Sequence, residues 1–134
     1  MFSVSREFSF SYGHRLYRYD GRCRRLHVHN ALVMIEILEE GLDEQGMAMD
    51  FVKVKSTVGK WIDEFLDHRV FLAKDDPLAE VLRAAGEEPI LFDGNPTAEL
   101  LAKKIFERAR DMGLNVKRVD FWETKNCRAT YALS

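Results

Sequence analysis

The sequence has few cysteines and prolines, no long apolar run and no strong excess of one charge. Its two cysteines cannot form a disulfide framework, so a reduced, cytoplasmic protein is expected. The net charge of -2 gives no general attraction to nucleic acid or to an anionic membrane. No apolar run approaches the roughly 20 residues of a membrane-spanning helix. Of the 134 residues, 46% are hydrophobic and 31% are charged. This length and composition predict one globular domain over residues 1–134.

The period of the hydrophobic pattern changes along the chain and predicts its elements. A period of two predicts strands in FSVSREFSFSYGH and HVHNALVMIEILEE. Helical spacing predicts a helix over about 51–65, capped by Asp50, and a long helix in NPTAELLAKKIFERARDMG. The tail predicts two further strands around a turn at Lys125-Asn126.

Three segments give weaker patterns. LAEVLRAAGEEP predicts a short helix, GLDEQGMAM is interpreted as a turn with a short strand return, and LDHRVFLAKDDP as a loop or helix end. Two pairs of strands flanking the helices favour an α+β fold, in which an antiparallel sheet carries its helices on one face.

Three of the four histidines lie on the two N-terminal strands. His27 and His29 are two residues apart and therefore project from the same face of their strand. His14 ends the first strand, and antiparallel pairing of the two strands would bring it close. Three imidazoles are a catalytic zinc arrangement, because the fourth position stays open for water or substrate. The alternative is an ordinary strand whose histidines are satisfied by hydrogen bonds.

Two further groups of residues are candidates for chemistry. Cys23 lies in RYDGRCRRL, and nearby arginines favour the thiolate form of a cysteine and can hold a phosphorylated substrate. Asp67 and His68 are adjacent in FLDH, where a carboxylate can orient an imidazole. The alternatives are a loop cysteine without a role, a solvated basic loop and an accidental Asp-His pair.

Six short motifs occur in one order over nearly the whole chain: FSFSYGH, CRRLHVHN, GMAMDF, FLDH, PTAELLA and WETKNCRATY. In this order they resemble the 6-pyruvoyl-tetrahydropterin synthase / 6-carboxy-tetrahydropterin synthase (QueD) family. The resemblance implies a tunnelling fold (T-fold), a four-stranded antiparallel sheet with two helices on one face. It also implies a homohexamer, a dimer of trimers, with active sites between subunits.

The resemblance assigns a role to each candidate residue. The zinc ligands would be His14, His27 and His29, and the catalytic residues would be Cys23, Asp67 and His68, with the cysteine reaching the pair across a subunit interface. Glu123 would bind the pterin ring of the substrate, 7,8-dihydroneopterin triphosphate.

The chain departs from the family pattern at Val28, which replaces a glycine, and at Ala31 and Leu72. None of these positions carries a chemical role. The expected activity is a zinc-dependent lyase that forms 6-carboxy-tetrahydropterin in queuosine synthesis. The alternatives are 6-pyruvoyl-tetrahydropterin synthesis for tetrahydrobiopterin and a non-catalytic zinc- or pterin-binding relative. A metal-free α+β domain is the plainest possibility.

Overall fold

A computed structural model describes all residues, 1–134, and shows one six-stranded sheet with its helices. The strand order is β4-β3-β1-β2-β5-β6. The strands are β1 (Phe2–His14), β2 (His27–Glu39), β3 (Arg69–Ala73), β4 (Ile90–Phe92), β5 (Val116–Thr124) and β6 (Cys127–Ala132). The main helices are α1 (Phe51–Val54), α2 (Leu78–Ala84) and α3 (Ala98–Asp111). The predicted α+β class is therefore confirmed.

Four of the strands form the expected antiparallel sheet. The strands β1 and β2 pair without a bulge from Phe2 opposite Glu39 to His14 opposite His27, and β5 and β6 extend the sheet from β2. The long register follows from the alternation in both strands, because a slip by one residue would expose every apolar side chain of the buried face. One end of the β1–β2 pair therefore carries two histidines side by side.

The sheet has two more strands than the four expected, because β3 and β4 extend it beyond β1 in parallel. The interpretation of LDHRVFLAKDDP as a loop or helix end was wrong, since it contains β3. Its residues Phe71 and Leu72 are fully buried although they point to opposite faces, so the alternation that marks a strand is missing. The return strand expected in GLDEQGMAM is absent, and that segment forms turns and bends.

The core lies between the sheet and one helical layer. Helix α1 starts at Phe51, where the carboxylate of Asp50 accepts a hydrogen bond from the Val52 N–H group, and continues through π-helical turns at Lys55–Gly59 and Ile62–Leu66. Its apolar residues and those of α3 join sheet residues in a single cluster of 21 buried side chains. None of the helices combines the length and apolar character that crossing a membrane requires.

Candidate functional site

The β1–β2 register brings the three predicted metal ligands together. His14 lies directly opposite His27, and His29 lies on the same face opposite Tyr12. One ring nitrogen from each histidine lies within 4.8 Å of the others, and their ring centroids are 4.5–5.1 Å apart. Strand pairing thus forms a compact group of three imidazoles.

Backbone carbonyl groups orient two of these rings. The Nδ1 atom of His14 lies 2.8 Å from the Pro96 carbonyl oxygen, and that of His27 lies 2.6 Å from the Arg25 carbonyl oxygen. A carbonyl oxygen only accepts, so each Nδ1 carries the proton and each Nε2 keeps a free lone pair. This arrangement is the usual outer support of a metal-binding histidine.

The environment of His14 fits a metal ion. The residue is 2% exposed, and burial lowers its pKa, as it does for His29, so that both favour the neutral form. The Nε2 atom of His14 is buried without a hydrogen-bond partner, a costly state for a polar atom. Three imidazoles, one of them with an unpartnered buried nitrogen, match the donor set of zinc.

Glu123, on β5, faces two of these rings and Tyr12. Its Oε1 atom lies 3.5 Å from His14 Nε2, 3.8 Å from His29 Nε2 and 3.4 Å from the hydroxyl of Tyr12. Burial, with a smaller effect of the Glu123 carboxylate, raises the pKa of Tyr12 and keeps the phenol protonated. The structure therefore places Glu123 against the histidines, and its role as a pterin ligand stays a prediction.

Asp67 and His68 form a hydrogen-bonded pair beside β1. The Asp67 Oδ2 atom lies 2.9 Å from His68 Nδ1, and Asp67 Oδ1 accepts a hydrogen bond from the Ser11 N–H group at 2.9 Å. The hydrogen bond from Ser11 is the main reason why the pKa of Asp67 lies below its usual range.

The backbone at His68 is unusual for a residue with a side chain. His68 has a φ of 63°, in the left-handed region, and its N–H group donates to the Ser11 carbonyl oxygen at 2.7 Å. This strained conformation projects the imidazole into solvent, with 82% of the side chain exposed. His68 and His29 both line one cavity of about 470 Å³, whereas His14, His27 and Glu123 do not line it.

Cys23 lies apart from these residues within the single chain. It is exposed on the short 3-10 turn Arg22–Arg24, and its carbonyl oxygen accepts a hydrogen bond from the Leu16 N–H group at 2.8 Å. It does not line the cavity shared by His29 and His68. Its contribution across a subunit interface stays a prediction.

Several residues that support the site were not singled out from the sequence. The Asn95 side chain accepts a hydrogen bond from the Tyr17 N–H group at 2.7 Å and donates to the Tyr17 carbonyl oxygen at 3.0 Å. Asp76 is 2% exposed and binds Arg15 through both carboxylate oxygens. No local pattern in the sequence indicated either of these contacts.

Of the departures from the family pattern, Val28 lines the cavity shared by His29 and His68, and Ala31 lies two residues beyond His29 on the same face of β2. Val28 is 78% exposed and points to the opposite face of the sheet, beside Gly13. Ala31 and Leu72 are buried in the packed interior. The valine therefore leaves the arrangement of the histidines intact.

Comparisons with known proteins agree with this geometry. The family described as 6-pyruvoyl tetrahydropterin synthase matches residues 3–133. The 6-carboxy-5,6,7,8-tetrahydropterin synthase of Rickettsia felis is 33% identical, covering 95% of this chain and 97% of its own. Among solved structures, an uncharacterised protein from Wolinella succinogenes superposes with a TM-score of 0.81 at 25% identity, covering 99% of this chain and 98% of its own. The Caenorhabditis elegans 6-pyruvoyl tetrahydropterin synthase superposes with a TM-score of 0.74 at 25% identity, covering 99% of this chain and 96% of its own. The chain therefore belongs to the 6-pyruvoyl tetrahydropterin synthase family and is a lyase of that type.

Proposed function

We propose that the protein converts 7,8-dihydroneopterin triphosphate to 6-carboxy-tetrahydropterin, with zinc held by His14, His27 and His29. The observation that carries the proposal is the convergence of three imidazole nitrogens within 4.8 Å, one of them buried and unpartnered. The family membership and the name of the Rickettsia relative support the reaction. Zinc would supply a Lewis acid that polarises the substrate side chain.

The other site residues would bind the substrate and move protons. Glu123 is a carboxylate beside the histidines and would accept hydrogen bonds from two donors on the pterin edge, which fixes the ring. The Nδ1–H group of His68 donates a hydrogen bond to the Asp67 carboxylate. The Nε2 atom of this exposed ring is therefore free to exchange a proton with the substrate. Cys23, which lies between Arg22 and Arg24, would remove the carbon-bound proton.

Two reaction products are compatible with these site residues. A 6-carboxy product keeps one of the three side-chain carbons of the substrate, so one water is consumed and a two-carbon aldehyde leaves in addition to the triphosphate. A 6-pyruvoyl product keeps all three carbons. The 6-carboxy product is favoured because the Rickettsia relative bears that name at 33% identity over nearly the whole chain.

We further propose that the protein works as a homohexamer built from two trimers. The separation of exposed Cys23 from the cavity of His68 supports a site completed by a neighbouring subunit. Size-exclusion chromatography with light scattering should give a mass near six times 15.6 kDa. A monomeric protein that turns over at full rate would contradict the shared site.

The test of the function is a product assay with mass spectrometry on zinc-loaded protein. The 6-carboxy product is expected, and a 6-pyruvoyl product would place the chain in the other branch of the family. Cys23→Ala should keep zinc and lose turnover, whereas His27→Ala should lose both, as measured by metal analysis. Turnover retained in Cys23→Ala would refute the assignment of the base, and no product at all would favour a non-catalytic relative.

A further inference from the structure

The segment that joins β1 to β2, residues 15–26, contains an unusual concentration of unpaired positive charge. It carries five arginines: Arg15, Arg18, Arg22, Arg24 and Arg25. Only Arg15 forms an ion pair, with the buried Asp76. The other four form none, although Asp75 lies near enough to Arg18 to stabilise its positive charge. Asp20 is the one acidic residue of the segment, in a chain whose net charge is -2. The segment is thus a local basic patch on an acidic protein.

Arg24 and Arg25 lie between two concave surfaces of this segment. A cavity of about 700 Å³ is lined by both residues together with Arg15 and Arg18. A second cavity of about 440 Å³ is lined by Arg22, Arg24 and Arg25, together with Asp20 and Gly21. Guanidinium groups that line a concave surface can bind a phosphate group through several charge-assisted hydrogen bonds at once.

The backbone of the segment is held in place, which limits the entropy lost when an anion binds. Asp76 holds the Arg15 side chain, Asn95 holds the Tyr17 backbone through two hydrogen bonds, and Cys23 accepts from the Leu16 N–H group. The Arg18 guanidinium lies 5.0 Å from the centre of the Tyr17 ring. A basic surface with a fixed backbone is better suited to a defined anion than a mobile loop.

The larger cavity is lined by residues that adjoin two of the histidines in the chain. Its lining residues Arg15 and Leu26 directly follow His14 and directly precede His27 in the chain. The carbonyl oxygen of Arg25 also holds the His27 ring. A substrate whose side chain reaches the histidines would therefore extend its terminal phosphate ester towards these arginines.

We propose that Arg24 and Arg25, with Arg18 and Arg22 around them, form the site that binds the triphosphate group. The inference rests on the proposed function for the source of the triphosphate, which is either the substrate or the inorganic triphosphate released from it. Both carry the same polyanion, and the four free guanidinium groups oppose its charge.

The test is calorimetric titration of the purified, zinc-loaded protein with inorganic triphosphate, with sulfate as a second anion. Triphosphate should bind more tightly than sulfate, and its affinity should fall as salt is added. The double variant R24Q/R25Q should weaken triphosphate binding by about tenfold or more, since each lost contact is a hydrogen bond between charged groups. Arg83→Gln, which removes an exposed arginine of α2, is the matched control and should bind like the unmodified protein.

Steady-state kinetics of the double variant give a second, independent test of the triphosphate site. R24Q/R25Q should raise KM for the triphosphate substrate more than it lowers kcat, because it loses binding and retains the histidine site. Equal triphosphate affinity in the double variant and the unmodified protein would overturn the assignment, as would an equal loss in Arg83→Gln. Failure of the proposed reaction would leave the titration informative, so the two hypotheses are separable.

Discussion

Removing the carboxylate of Asp76 should cost far more stability than its place in a connecting segment indicates. Asp76 is 2% exposed and accepts three hydrogen bonds, two from the Arg15 guanidinium and one from the Leu78 N–H group. Burial by itself raises the pKa of Asp76, but the hydrogen bonds from Arg15 and Leu78 outweigh it and hold the pKa below its ordinary 3.8. The charged carboxylate is therefore stabilised in the folded protein despite its burial.

The magnitude follows from these contacts. Removing one partner of a fully buried ion pair costs about 3–5 kcal/mol. The Arg15 side chain is 25% exposed and becomes partly hydrated when its partner is lost. We therefore expect Asp76→Ala to lower the free energy of unfolding by about 2–3 kcal/mol at pH 7.

Urea denaturation at one protein concentration measures this difference. Asp93→Ala is the matched control, because the Asp93 carboxylate pairs with Lys74 at 3.0 Å but is 95% exposed, and it should show no measurable change. A double-mutant cycle with Arg15→Met isolates the ion pair. The reasoning would be refuted by an Asp76→Ala protein as stable as the control, or by additive effects in the cycle.

Two further predictions follow from the same kind of contact. Asp67 has its pKa lowered in the folded state by the Ser11 N–H group and by His68, so its contribution to stability is present above its ordinary pKa and lost as pH falls through the lowered one. Asp67→Asn should therefore reduce stability at pH 7, and its difference from the unmodified protein should shrink as pH falls through the lowered pKa of Asp67. A difference in urea denaturation that stays constant with pH would contradict this. Asn95→Ala should lower the free energy of unfolding by about 1–2 kcal/mol through two lost hydrogen bonds to the Tyr17 backbone, with zinc content unchanged. Loss of metal without loss of stability would show that Asn95 acts on the histidines instead.

The main features of the fold could be predicted because they depend on local periodicity. Alternation in β1 and β2 is long enough to determine both strands and their faces, and helical spacing with a cap at Thr97 determines α3. Strand β3 was missed for the same reason, since a strand buried on both faces lacks the alternation by which strands are recognised.

The candidate site was predictable to a similar degree. The spacing of His27 and His29 on a strand places them on one face, and antiparallel pairing adds His14. The position of Glu123 beside these rings depends on β5 pairing with β2, which brings together residues nearly a hundred positions apart. No local pattern carries that information.

The sequence by itself determined the α+β class, the paired strands and the three imidazoles, because each depends on spacing within one or two neighbouring strands. Tertiary structure alone decided which ring nitrogens face the metal position, since the Pro96 carbonyl group that orients His14 comes from the segment before α3. It also decided the burial of Asp76 and its pairing with Arg15. These features depend on contacts between residues far apart in the chain, and such contacts form only when the whole sheet and its connections are assembled.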